Sequence, residues 1–288
     1  MSLQSLHNHQ KKIAVINDFS GFGRCSIAVS LPIISTMKIQ CCPVPTSIFS
    51  NHTGFESFYF DDYTERMEPY ISEWKKLGLR FQGITSGFLG SKRQIEIVKS
   101  FIHEFRAEDT LVIIDPVMGD NGKAYATYTE EMCQEMKKLV FYADILTPNL
   151  TEACILTDTP YREKGWKNLE IQELAQKLQK MGPKKIVITG IIQGEFIANY
   201  CYDADEMGDN PKYKGQFMRT HKIGSTRSGT GDIFAAIVAA DAVNGVPFEK
   251  SVRKASGFIK KCIQKSIDLD IPLTDGVCFE EVLSQLHI

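Results

Sequence analysis

Apolar residues in this chain come as short continuous runs that alternate with longer stretches of helical spacing. The runs at 12–16, 41–48, 83–85, 111–115, 144–146 and 185–189 predict buried strands. The stretches at 25–37, 63–77, 94–105, 130–142 and 169–181 predict helices, and Thr147-Pro148-Asn149 opens another. Pro116 stops one strand and Gly182-Pro183 stops one helix. Strands that are apolar on successive residues and set between helices imply βαβ units, with a parallel sheet covered on both faces. Residues 195–202 and 215–222 read as an antiparallel pair around a polar loop, 203–215, and the chain is mostly helical from 229 to 265. A late antiparallel pair followed by helices does not suit a TIM barrel. The expected architecture is therefore α/β: one domain over 11–288, with a mostly parallel central sheet and a small antiparallel addition. Residues 1–10 are polar and lack the apolar core of a signal peptide, so they are expected to form a frayed tail.

Composition narrows the partners. The 288 residues carry a net charge of −2 with the signs interspersed, so neither nucleic acid nor an acidic membrane is an expected partner. The longest apolar run, Ile233 to Ala240, is far short of the roughly 20 residues that span a bilayer. The eight cysteines are scattered and form no CxxC pair, which points to reduced thiols and a cytoplasmic location rather than a zinc or disulfide framework.

The densest chemical signal is Gly229-Thr230-Gly231-Asp232, which leads into an Ala-rich helix. The glycines permit a tight turn and close approach of a ligand. The amides of 229–231 would then sit at a helix N-terminus, where free N–H groups and the helix dipole attract anions. A carboxylate beside an anion site suits a base that takes a proton from an attacking alcohol while the amides hold a phosphoryl group in transit. As an isolated motif it reads better as an ordinary helix start with Asp232 as dipole partner; other segments that point to the same chemistry shift the balance.

Other candidates stand at the ends of the predicted strands, where open α/β sheets bind ligands. Asn17-Asp18-Phe19-Ser20-Gly21-Phe22-Gly23 is either a loop presenting Asp18 to a small polar ligand or a simple turn; Ser26 stands where a dinucleotide fingerprint needs its third glycine. Ser50-Asn51-His52-Thr53 offers four polar side chains suited to a heteroaromatic ring, or else forms a polar turn with a structural His52. Phe88 either stacks on a ligand ring or belongs to the core. Asp115 and Asp120 flank Gly119 and suit a shared Mg²⁺, although an Asp capping a turn fits the same pattern. Asn149 and Glu152 share a helix face and serve either phosphate and metal-bound water or a helix cap. Thr189 ends a strand where a nucleotide could lie, and no Walker A or protein-kinase motif occurs.

Taken together and in this order, these segments resemble the ribokinase-like superfamily and, within it, the vitamin B6 kinases. The likeness spans nearly the whole chain after Lys11. It implies a three-layer α/β/α fold, ATP as phosphoryl donor, Mg²⁺, an activating K⁺ (or Na⁺), and a homodimer acting on a small heteroaromatic alcohol. By position it implies Asp232 as base and Gly229, Thr230 and Gly231 as anion hole. Asp115, Asp120 and Glu152 would serve the Mg²⁺–water shell, with Thr147 and Thr189 beside the monovalent ion. Asp115, Tyr125, Asn149, Thr189 and Thr230 would meet ATP; Asp18, Ser50, Thr53 and Phe88 would meet the ring. One departure concerns the substrate. Pyridoxal kinases usually carry serine where Asp18 stands, and Asp18-Phe19-Ser20-Gly21 is similar to the Asp-Pro-Ser-Gly of hydroxymethylpyrimidine kinases. The Ser50-Asn51-His52-Thr53 segment tips the expectation toward phosphorylation of the 5′-hydroxymethyl of pyridoxal, pyridoxine or pyridoxamine. The rivals are the pyrimidine kinase and, from another class, a vitamin-binding sensor without turnover; a nicotinamide oxidoreductase lacks its fingerprint.

Overall fold

The computed structural model describes residues 9–205 and 215–286. The expected tail at 1–10 lies largely outside the described residues, and so does most of the 203–215 loop.

Nine strands form one sheet in the order β11-β10-β9-β8-β5-β4-β1-β2-β3. The parallel centre consists of β1 (Lys12–Ser20), β2 (Gln40–Phe49), β4 (Gly83–Ser86), β5 (Leu111–Ile114), β8 (Ile145–Leu146) and β9 (Lys185–Gln193). The antiparallel additions are β3 (Phe60–Asp62) at one edge, with β10 (Phe196–Asp203) and β11 (Gly215–His221) at the other. The period-2 alternation of the strands decides the layers. Ile13, Val15, Ile113, Ile145 and Val187 face a core shared with α1 (Ile27–Thr36), α7 (Thr230–Asn244) and α8 (Phe248–Asp268). Ala14, Ile16, Val112, Ile114, Ile186 and Ile188 face the opposite core, under α2 (Thr64–Lys76), α3 (Lys92–Phe105), α4 (Glu130–Val140), α5 (Leu150–Leu156) and α6 (Asn168–Gln179). Two buried faces explain why the strands are apolar at nearly every position. The expected α/β sandwich is the fold observed, and no helix among the described residues is long and apolar enough to cross a membrane.

Several boundaries differ from the sequence expectation. β1 does not stop at Ile16: it pairs with β2 through Ser20, with a register shift between Asn17 and Phe19, so Asn17 and Asp18 belong to a strand end rather than a free loop. β9 continues past Thr189 to Gln193, because Gly190 takes φ +74° and absorbs the extra residue at the register shift opposite Ala198 and Tyr200. Among the strands, β3 and a hairpin of β6 (Gly119–Asp120) and β7 (Lys123–Ala124) escaped detection. Strands of two or three residues are too short to show a period.

Candidate active site

α7 opens on Gly229 in the left-handed region, φ +86°, and no described side chain caps it. A Cβ at 229 would strike the Arg24 carbonyl, so the turn needs glycine for conformation and for close approach. One local and two long-range contacts brace it. Val277 donates its N–H to the Ser228 carbonyl (3.0 Å), and Thr230 donates its hydroxyl to the Arg227 carbonyl (3.2 Å). The buried Arg227 guanidinium donates to the carbonyls of Ile271 and Pro272 (2.7 and 3.0 Å). The N-cap of α7 thus supplies no side-chain acceptor to the first-turn amides, and the Cβ position of Gly231 is open space. That combination is a ready cradle for an anion.

Asp232 stands in the first turn and meets the ends of three strands. Together with Asn17 of β1, Ser86-Gly87 at the end of β4 and Asp115 after β5, it borders a small cavity of about 20 Å³. Burial raises the Asp232 carboxyl above the ordinary Asp range; hydrogen bonds from the Ser26 main chain and the Asn17 amide oppose the rise. Asp18 is 6% exposed, and both of its oxygens are taken: Ser26 donates to one (2.6 Å) and Ser20 to the other (3.1 Å). Burial, with Asp232 nearby, still pushes its carboxyl up to about 6. Asp18, expected at the ring, thus braces the strand end through two hydroxyls.

The segment after β2 spends its polar groups mostly on itself. Ser50 donates to Asn51 (2.7 Å) and accepts from the Tyr59 amide (2.8 Å). His52 Nδ1 accepts from the Gly54 amide, so Nε2 carries the proton and donates to the Thr274 carbonyl at 2.8 Å. His52 is structural, as the plainer sequence reading had it. Thr53 is left exposed at the loop tip. Phe88 is half-buried and packs edge-on against Phe49, which in turn meets Phe58 and Phe60. The exposed rings of Phe58 and Phe60 extend this aromatic wall, which sequence reasoning missed because it falls on a loop and an edge strand too short to show a period.

The carboxylates proposed for a cation occupy different positions. Thr147 donates to Asp115 at 3.2 Å, and burial with the Asp232 charge pushes the Asp115 carboxyl up to about 8. Glu152 accepts from the Met118 and Asn149 amides (3.2 and 2.8 Å), and burial with the Asp115 charge holds it well above the usual Glu range. Asp120 lies exposed on the hairpin and bonds to Asn121. Among the described residues no three acidic, His or Cys groups close into a metal cage. The donor set nevertheless fits a hard divalent ion that keeps its waters: Asp232 raises Asp115 and Asp115 raises Glu152, and a cation beside these buried oxygen acids would relieve that.

Asn149 and Glu152 form a full capping box at the start of α5, and the Asn149 amide also donates to the Gly119 carbonyl (2.8 Å). The sequence alternative of a helix cap is therefore realised, and the cap reaches the hairpin as well. Thr189 pairs with Asn149 as an isolated bridge, its amide donating to the Pro148 carbonyl at 2.9 Å. Tyr125 follows β7 and is 43% exposed; desolvation and the charges of Glu152, Asp120, Asp115 and Asp232 raise its phenol.

The family model described as phosphomethylpyrimidine kinase matches residues 72–273. The chain is 30% identical over 183 residues to a hydroxymethylpyrimidine/phosphomethylpyrimidine kinase of Haemophilus influenzae. That match covers 64% of this chain and 65% of the relative, somewhat under two thirds of its length. It is 28% identical over 234 residues to a pyridoxal kinase of Arabidopsis thaliana, covering 78% of this chain and 72% of that one. A crystal structure from Bacteroides thetaiotaomicron, described as a phosphomethylpyrimidine kinase and crystallised with pyridoxal, is 36% identical with a TM-score of 0.90, covering 96% of each chain.

Proposed function

The chain belongs to the phosphomethylpyrimidine kinase family, and on that premise we propose that it transfers the γ-phosphoryl group of ATP to the 5′-hydroxymethyl of pyridoxal, pyridoxine or pyridoxamine. One observation carries the reading: Asp232 stands in the same helical turn as uncapped amides, within reach of the strand ends where a ring would lie. The amides of Thr230 and Gly231 grip the transferring phosphoryl oxygens, and the open Cβ position of Gly231 leaves room for them. The alcohol oxygen bonds to the γ-phosphorus as the bond to the ADP oxygen breaks, and the alcohol proton passes to Asp232. A carboxyl whose pKa is raised is the better acceptor for that proton. Asp115 and Glu152 would hold Mg²⁺, which when bound neutralises the phosphate charge; Thr147, just after β8, and Thr189, within the neighbouring β9, would border K⁺. Phe88 and the aromatic wall supply the ring platform, Ser50 and Thr53 offer hydroxyls to the ring substituents, and Asp18 braces the strand end. Tyr125 and Asn149 act through the β6–β7 hairpin on the nucleotide side.

Pyridoxal in the Bacteroides relative supports the B6 substrate. Hydroxymethylpyrimidine is the second reading, favoured by the Asp18-Phe19-Ser20-Gly21 segment and by the Haemophilus relative. An ATP-consumption assay of the purified protein against B6 vitamers and aminopyrimidines separates the two. Turnover of pyridoxal is expected, with Asp232→Asn lowering kcat by about 10²–10⁴-fold at unchanged nucleotide affinity. Turnover of the pyrimidine alone would select the second reading, and binding without turnover would leave a sensor.

A further inference from the structure

Asn17 sits at the bend of β1 and is 5% exposed. Its Oδ1 accepts two main-chain N–H groups, from Asp18 at 3.0 Å and from Phe88 at 2.8 Å. Two donors on one oxygen forbid the flipped amide, which would set an NH₂ group against both. The Nδ2 group must therefore face the other way, and there it donates to Asp232 Oδ1 at 3.3 Å. The fit is close on the remaining side too: a Cβ on Gly87 would lie 2.5 Å from the Asn17 amide carbon, so that strand-end glycine makes room for the side chain. The nearest competing carboxylate, Asp18, is occupied by Ser20 and Ser26.

We propose that Asn17 is a positioning residue for the proton acceptor: it fixes the orientation of the Asp232 carboxylate and ties it to the Phe88 segment, so that base and ring platform are held in one register. One amide joins residues 71 and 215 positions away in the chain. A carboxylate free to rotate would meet the hydroxymethyl group in the wrong geometry, and misplacement on the scale of 1 Å costs up to about 10²-fold in rate. The inference rests on the reading that Asp232 takes the alcohol proton.

A double-mutant cycle on the full chain tests it, with kcat and the KM for each substrate measured for Asn17→Ala, Asp232→Asn and the pair. Asn17→Ala is expected to lower kcat by about 10–10²-fold and to leave KM for ATP within about twofold. In the Asp232→Asn background the same change should cost nothing further, because the group it positions is gone. Asn17→Asp keeps an acceptor for both amides and replaces the donor by a second carboxylate facing Asp232; its kcat is expected to fall at least about tenfold, and its melting temperature to fall further below wild type as pH rises, because two buried carboxylates then face each other. Equal losses from Asn17→Ala in both backgrounds, or a wild-type kcat in Asn17→Asp, would overturn the positioning role while leaving the base intact. Wild-type activity of Asp232→Asn alone would instead remove the base reading and this inference with it.

Discussion

The glycine turn at Gly229–Asp232 and the β6–β7 hairpin both border the acidic cluster, yet they are held by different means. The turn is wired into the molecule by main-chain contacts to Arg24 and Val277 and by the buried Arg227. The hairpin has two strands of two residues each, with Asp120, Lys123 and Ala124 exposed. It hangs from α5 by two side-chain bonds, Thr151 Oγ1 accepting from Gly122 and Asn149 donating to Gly119, with Tyr161 stacked behind Gly122. Few buried contacts and exposed backbone are the marks of a segment that opens locally. The contrast assigns the tasks. On the proposed function the turn is an oxyanion cradle that must be preorganised, which braced main chain supplies; the hairpin would be a nucleotide cover that admits and releases, which loose attachment allows.

Gly229→Ala breaks the braced side most severely. The added Cβ meets the Arg24 carbonyl in a backbone conformation that alanine resists. Strain alone costs about 1–3 kcal/mol, and the displaced cradle is expected to lose kcat by about 10²-fold; thermal unfolding and steady-state kinetics measure the two. If both stay at wild-type values, the turn is not the rigid element described.

Asp18→Asn sharpens the electrostatics of the same side. The folded-state carboxyl titrates near 6, above its unfolded value of 3.8, so its ionisation opposes folding. That penalty is absent below about pH 4 and complete above about pH 6. The asparagine variant should therefore gain on the wild type as pH rises through this window, by at most about 3 kcal/mol. A stability difference that stays flat from pH 4 to pH 8 would show that Asp18 carries no burial cost.

Gly122→Ala tests the hung side. Its φ of +78° and the Tyr161 ring both resist a Cβ, so the hairpin tip should shift at a cost of about 1–2 kcal/mol. The expected signature is a several-fold rise in KM for ATP with KM for the aromatic alcohol unchanged. Equal rises in both would mean that the hairpin covers more than the nucleotide.

Gly231→Ala makes the smallest structural change and separates folding from function. Nothing lies near the new Cβ, and alanine favours the helix by about 0.8–1 kcal/mol, so the melting temperature should hold or rise slightly. The same methyl group intrudes on the anion cradle, and kcat/KM for ATP should drop by about tenfold. A variant both stable and fully active would mean that no phosphate comes so close.

Much of this was legible from local pattern. The βαβ alternation, the two covered faces and the late antiparallel pair all follow from which positions are apolar, because burial on a strand or helix repeats with the period of the element. Gly229-Thr230-Gly231-Asp232 was legible because a turn into a helix leaves amides exposed whatever surrounds it. Asn149 with Glu152 was legible only as an open choice, and the structure realises the cap. The small hairpin, the edge strand β3 and the aromatic wall had no periodic signature to read.

The amino-acid sequence by itself therefore determined the layered α/β sheet, the glycine turn and the set of acidic groups at the strand ends, since each depends on neighbours within a few positions. Only the tertiary structure decided that Asp18 turns inward to two hydroxyls, that His52 braces a distant carbonyl, and that Asn17 joins Phe88 to Asp232. Those roles depend on which oxygen lies within about 3 Å of which donor. Such distances arise from chain segments that meet only when the sheet closes between its two helical layers.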